Sequence, residues 1–207
     1  MDRRPVRPTF VEKDQKMSTA THRLAPELAV SEWFNVSKPL TLAALRGRPI
    51  FLHTFQLLCP GCVTDAIPQV KRIERLFGQT DLTVIGLHTV FEHHAAMSPT
   101  TLKAFLHEYR LTSPVGVDVA EDGDDVPLTM RRYGFRGTPS SVLIGRDGTI
   151  LHQAFGVEED LAVGFRIAMA LAAQVPDELV ASPDRAEQDC GSGRCVMTPI
   201  TMEGARG

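Results

Sequence analysis

Two cysteines three positions apart, in Cys59-Pro60-Gly61-Cys62, stand where one hydrophobic periodicity gives way to another. Before them, Ile50 to Phe55 is a continuous apolar, β-prone run, the pattern of a strand buried on both faces. After them, Ile67, Val70, Ile73, Leu76 and Phe77 recur at helical spacing. The order strand, Cys-Pro-Gly-Cys, helix puts Cys59 near a helix N-cap. Unpaired backbone N–H groups and the positive end of the helix dipole favour a thiolate there. A thiolate attacks disulfides, and a second cysteine one helical turn away can resolve the mixed disulfide. The same spacing also supplies half of a structural zinc site, and two free cysteines can be plain core residues. The strand-to-helix setting favours redox chemistry over both.

The rest of the chain is compatible with one domain built around that junction. Its 207 residues allow a sizeable core plus tails, and 43% hydrophobic with 23% charged residues is ordinary for a globular protein. A net charge of -3 gives no electrostatic case for nucleic acid or an anionic membrane surface. No apolar run approaches the roughly 18 residues of a membrane span. The Arg-, Pro-, Thr- and Ser-rich start has no apolar signal-peptide core, so a cytoplasmic location is expected. There, reducing conditions leave cysteines free unless they are catalytic. The expected organisation is a flexible N-terminal tail over 1–27, a domain over 28–175 and a flexible C-terminal tail over 176–207 with a second cysteine pair.

Along the domain, Leu28-Ala29-Val30 and Trp33-Phe34 form an apolar lead-in, and Leu82 to His88 reads as a second buried strand. Ser98-Pro99 is a strong helix start, with Leu102, Phe105, Leu106 and Tyr109 as the apolar face. Val115 to Val117 suits a short strand, Asp118 to Asp125 an acidic solvated loop, and Leu128 to Tyr133 one or two helical turns. Ser141 to Ile144 and Thr149 to Phe155 flank the turn Gly145-Arg146-Asp147-Gly148. Glu158, Glu159 and Asp160 open a last helix whose buried side is read as Leu161, Phe165, Ala168 and Ala172. The order β-α-β-α-β, hairpin, helix gives an α/β domain with a mixed sheet between helical layers.

Over about Leu28 to Ala173 this pattern resembles the thioredoxin-fold redoxin superfamily. The superfamily groups thiol–disulfide oxidoreductases with the alkyl hydroperoxide reductase and thiol-specific antioxidant proteins. The likeness rests on Leu42-x-x-Leu45-Arg46-Gly47-x-Pro49, on Cys59-Pro60-Gly61-Cys62 and on Gly137-Thr138-Pro139. It implies a thioredoxin fold, a central mixed sheet with helices on both faces. It implies Cys59 as nucleophile, Cys62 as resolving thiol, Pro139 as a cis-proline, and Thr138 offering its backbone to substrate beside Pro60 and Gly61. Substrates would be disulfide-containing proteins or small thiols or peroxides, with an upstream thiol reductant and no cofactor or metal. Two departures stand out. Leu58 replaces the tryptophan usual before the first cysteine. The residue six before Cys59, often an acid, is His53, whose imidazole is a candidate for the proton-transfer role. Peroxiredoxins share the fold, so a thiol peroxidase using Cys62 or Cys59 is the alternative activity. Against it, the expected proline and threonine positions hold Phe55 and either Cys59 or Gln56.

The remaining clusters suggest less. His88, His93 and His94 with Glu92 read as a solvated loop rather than a metal site, and the acids near Asp118 lack calcium-loop spacing. Cys190 and Cys195, in a glycine-rich segment, are a candidate second redox pair.

Overall fold

The computed structural model describes residues 23–121 and 124–174. A six-stranded mixed sheet has the order β1-β4-β3-β2-β5-β6. Its strands are β1 (Val30–Phe34), β2 (Ile50–Phe55), β3 (Thr83–His88), β4 (Val115–Asp118), β5 (Ser140–Ile144) and β6 (Ile150–Phe155). β2, β3 and β4 are parallel, while β1, β5 and β6 run antiparallel to their neighbours. The helices are α1 (Ile67–Phe77), α2 (Pro99–Glu108), α3 (Leu128–Tyr133) and α4 (Asp160–Ala172). The parallel crossovers through α1 and α2 put both helices on one face of the sheet.

Strand alternation divides the core. Ile50, Leu52, Ile85, Leu87, Val142 and Ile144 face Met130 and Tyr133 of α3. Phe51, Val84 and Leu143 face Val70 and Ile73 of α1 and Val163, Ile167 and Ala170 of α4. Nearer the cysteines, Phe55 and Val115 pack with Cys62, Ile67 and α2's Leu102 and Leu106. Helices thus cover both faces, as the sequence pattern implied.

Several local expectations change. The apolar lead-in is an edge strand, β1, paired with β4. The tail boundary at 27 falls too late: Leu24 bridges Thr149, Ala25 is buried, and the Tyr133 hydroxyl donates to the Pro26 carbonyl at 2.7 Å. That segment is fixed mainly by backbone hydrogen bonds, which leave no side-chain periodicity. On α4 the expected buried side is wrong. Leu161 and Phe165 are 87% and 65% exposed, and Val163, Ile167 and Ala170 are buried instead. The helix is apolar nearly all round, so periodicity alone does not choose its inner face. Asp118 is no loop acid; it is buried and accepts the Thr129 and Met130 N–H groups at 2.9 and 3.1 Å. It thereby caps the first turn of α3.

Candidate active site

The site forms where β2 ends. The Cys59 N–H donates to the Gln56 carbonyl at 3.3 Å, closing the turn that carries Leu58 outward. Pro60 opens the helix without leaving a wasted donor. The N–H groups of Cys62 and Val63 both reach the Cys59 carbonyl at 3.1 Å. Over Cys62–Ala66 the helix widens to a π-turn, and the Ile67 N–H reaches back to the Cys62 carbonyl. Pro68 accounts for the position: it cannot donate to the preceding turn, so the ladder slips by one residue before α1 resumes. Cys59 is left half-buried and Cys62 fully buried.

The opposing wall is the loop into β5. The Thr138–Pro139 peptide bond is cis. The Cys59 thiol donates to the Thr138 carbonyl at 3.4 Å, and the Cys62 N–H points at the Cys59 sulfur, also at 3.4 Å. A Cβ at Gly61 would sit 3.7 Å from Pro139 Cδ, so helix and loop are in close contact. Ser140 anchors the loop by donating its backbone N–H to Thr54 Oγ1 at 3.1 Å and its hydroxyl to the Gly137 carbonyl at 2.7 Å.

Gln56 ties the two walls together, a role the sequence reading did not assign. It is 1% exposed. Its Nε2 donates to Thr138 Oγ1 at 3.4 Å and to Glu92 at 3.5 Å, and its Oε1 accepts the Phe91 N–H at 3.3 Å. The available signal was a lone polar amide closing an apolar strand, which must find partners when buried.

The two thiols differ electrostatically. Burial, and then its contact with Cys59, push the Cys62 thiol up to about 12, while hydrogen bonds from Gln56 and Thr138 pull the other way. Cys62 therefore stays protonated at neutral pH, leaving Cys59 as the accessible sulfur. His53 is buried on the same sheet face, its imidazole lowered to about 4 by desolvation. Its ring stacks on Phe55 at 5.5 Å, and Nδ1 has no hydrogen-bond partner among the described residues. Gly86 makes room for it, since a Cβ there would lie 3.1 Å from His53 Nε2.

The structure thus brings together Cys59, Cys62, Pro60, Gly61, Thr138 and Pro139. It leaves His53 one residue layer below, with no hydrogen bond to either sulfur. His88, expected in a solvated loop, is a correction. It is completely buried, lowered to about 4 by desolvation, and has both ring nitrogens unpartnered. It sits opposite Phe55 in the β2–β3 ladder and so faces the helix side of the sheet. Cys190 and Cys195 lie outside the described residues.

No family model matches the chain. A solved thioredoxin-like superfamily protein is 48% identical, with a TM-score of 0.72, over 74% of this chain and 99% of that one. A thiol-disulfide isomerase from Corynebacterium glutamicum is 40% identical, with a TM-score of 0.70 and the same coverage. The thiol-disulfide oxidoreductase ResA of Bacillus anthracis is 24% identical over 132 residues, 64% of this chain and 68% of that protein. The chain belongs to the thioredoxin-like superfamily. Within it, the half-buried and fully buried cysteines at one helix start, with the likeness to thiol-disulfide oxidoreductases, make it a thiol–disulfide oxidoreductase.

Proposed function

We propose that the chain reduces or exchanges disulfides in peptide or small-thiol substrates, with Cys59 attacking and Cys62 resolving. The carrying observation is the asymmetry of the pair: Cys59 is reachable from solvent and Cys62 lies behind it, its N–H directed at the Cys59 sulfur. In the first step the Cys59 thiolate attacks one substrate sulfur, and the other departs as a thiolate that takes a proton. In the second, Cys62 loses its proton and attacks Cys59 Sγ. The substrate leaves as a dithiol, and a Cys59–Cys62 disulfide remains. Two external thiol groups, oxidised together to a disulfide, return the two electrons. Thr138 and Pro139 form the wall along which a substrate chain lies, with Pro60 and Gly61 opposite. No proton is routed through His53, which lacks a hydrogen bond to either thiol. In a cytoplasmic setting the resting form is the dithiol.

The test is dithiothreitol-driven reduction of the disulfides of insulin, a substrate that dithiothreitol alone reduces slowly. Cys59→Ser should lower the rate to background, and reduced Cys62→Ser, given the disulfide without dithiothreitol, should accumulate a mixed disulfide on Cys59, detected as an adduct mass. Normal turnover by the Cys59→Ser chain overturns the assignment.

A further inference from the structure

We infer that Gln56 is a positioning residue for the resolving step: its side-chain amide turns the Thr138 hydroxyl so that the hydroxyl proton meets the Cys62 sulfur. This role rests on the reading of Cys62 as the resolving thiol. It gives that step a hydrogen-bond donor, which His53, without a bond to either sulfur, does not supply.

The neighbours of the amide settle which way it faces. The Phe91 N–H can only donate, so the atom it meets at 3.3 Å is the acceptor Oε1, and Nε2 is turned away from it. A backbone donor thus fixes the flip that a lone amide leaves open. Nε2 carries two protons and has two acceptors, Glu92 Oε1 at 3.5 Å and Thr138 Oγ1 at 3.4 Å. Glu92 is exposed and, when ionised, only accepts; it holds one N–H and leaves the other for Thr138. Gln56 itself is 1% exposed, so its amide is shielded from water.

Thr138 is left with one proton to give. With the Gln56 N–H on one of its lone pairs, the hydroxyl is held as an acceptor on that side and donates on another. It donates to the Cys62 sulfur, and the Gln56 backbone N–H acts on the same sulfur; both contacts favour the thiolate. Burial is the larger influence and keeps Cys62 protonated at rest. The donors therefore matter most as Cys62 loses its proton, when burial makes bare negative charge costly. The Thr138 carbonyl also accepts from the Cys59 thiol. One residue of the cis-proline loop thus touches both sulfurs, and Gln56 sets how it touches the second.

The step balances with these groups. Cys62 gives its proton to a solvent base, and its sulfur attacks Cys59 Sγ. The Cys59–Cys62 bond forms and the bond from Cys59 to the substrate sulfur breaks. That sulfur leaves with the electron pair and takes up a proton. Thr138 keeps its own proton throughout and lends only a hydrogen bond. Because the hydroxyl contact is to Cys62, loss of the amide falls on the second step of exchange and spares the first.

The test separates the two steps with methyl methanethiosulfonate. One equivalent, added to the reduced full chain, transfers a methylthio group to Cys59 and releases methanesulfinate. Cys62 then attacks Cys59 Sγ and expels methanethiol. Acid quenching at intervals, then mass spectrometry of the peptide that holds both cysteines, reads the two stages: a methylthio gain, then conversion to a mass two hydrogens below the dithiol. Gln56→Met, similar in volume but without donors, should slow the conversion about tenfold and change the first stage less than about twofold. Thr138→Val should slow conversion equally, while Thr138→Ser, which keeps the hydroxyl, should stay within about threefold of the parent. The double variant Gln56→Met/Thr138→Val should be no slower than Thr138→Val alone. Should Gln56→Met fail to fold, Gln56→Asn takes its place. Its arm is one methylene too short for contacts already at 3.3–3.5 Å, so it should slow conversion in the same way.

Unchanged conversion in the Gln56 variant overturns the inference, as does a Thr138→Ser chain as slow as Thr138→Val. A double variant slowed by the product of the two single effects also overturns it, because Gln56 would then act independently of Thr138. Equal slowing of both stages means a structural role alone and overturns it too. A parent that gains methylthio on Cys59 and never converts it overturns the resolving role of Cys62 as well. Conversion in the parent, with no effect of the variants, leaves that role standing and removes only the part given to Gln56.

Discussion

The two faces of the central sheet are made from alternate residues of the same strands, yet they carry different chemistry. Toward α3, Ile50, Leu52, Ile85, Leu87, Val142 and Ile144 form an aliphatic layer closed by Met130 and Tyr133. Toward α1, α2 and α4, the same strands present Phe51 and Phe55 together with His53 and His88, and Cys62 packs in that layer. Three imidazole nitrogens there lack a partner among the described residues. An unpaired buried polar atom costs about 1–3 kcal/mol. The aliphatic face supplies stability, and the cost is concentrated beneath the redox pair.

Acid should expose this difference most strongly. His53 and His88 are lowered from 6.5 to about 4, so the unfolded chain takes up their protons first as pH falls. Their stabilisation is complete above pH 6.5 and is lost between 6.5 and 4, by about 3 kcal/mol for each histidine. Asp118 works in the opposite sense, because burial raises its carboxyl and acidification then favours the folded chain. Urea unfolding at pH 7.5, 5.5 and 4.5 should show a falling midpoint with a net slope set by the two imidazoles. A midpoint constant across this range would mean that both rings charge freely in the folded state.

The aliphatic face should respond to truncation instead of to pH. Leu52 is fully buried there, and Leu52→Ala should cost about 2–5 kcal/mol, the same at pH 7.5 and 5.5. A loss that grew with acid would mean that the two faces are coupled through the sheet.

These differences set what the sequence could reveal. The cysteine pair, the Thr138-Pro139 loop and the strands around them were legible because their signals are local: a strand pattern, a helix pattern and a few punctuating residues between. Ser98 likewise caps α2 as read, accepting the Thr101 N–H at 3.3 Å. What stayed hidden depends on residues far apart in the chain. The burial of His88 follows from its place opposite Phe55 across β2 and β3, and Asp118 is drawn in by a helix start eleven residues on. Gln56 bridges segments from Glu92 to Thr138. The inner face of α4 was undetermined because apolar residues lie on every side of it.

The smallest effect is the sharpest probe of the comparison. His88 has both ring nitrogens buried and unpaired, so a leucine of similar volume removes a desolvation cost while keeping most of the packing against Phe55. At pH 7.5, His88→Leu should change stability by less than about 1 kcal/mol in either direction, because lost shape complementarity and relieved desolvation oppose each other. Its effect lies in the pH profile. One of the two acid-sensitive groups is gone, so the loss between pH 6.5 and 4 should fall to about half that of the parent, and His53 alone should carry the remainder. A cost above about 2 kcal/mol at pH 7.5 with an unchanged acid slope would show that the imidazole is bonded and solvated in solution. His53 Nδ1 would then be the unpartnered imidazole nitrogen left on the helix-side face among the described residues.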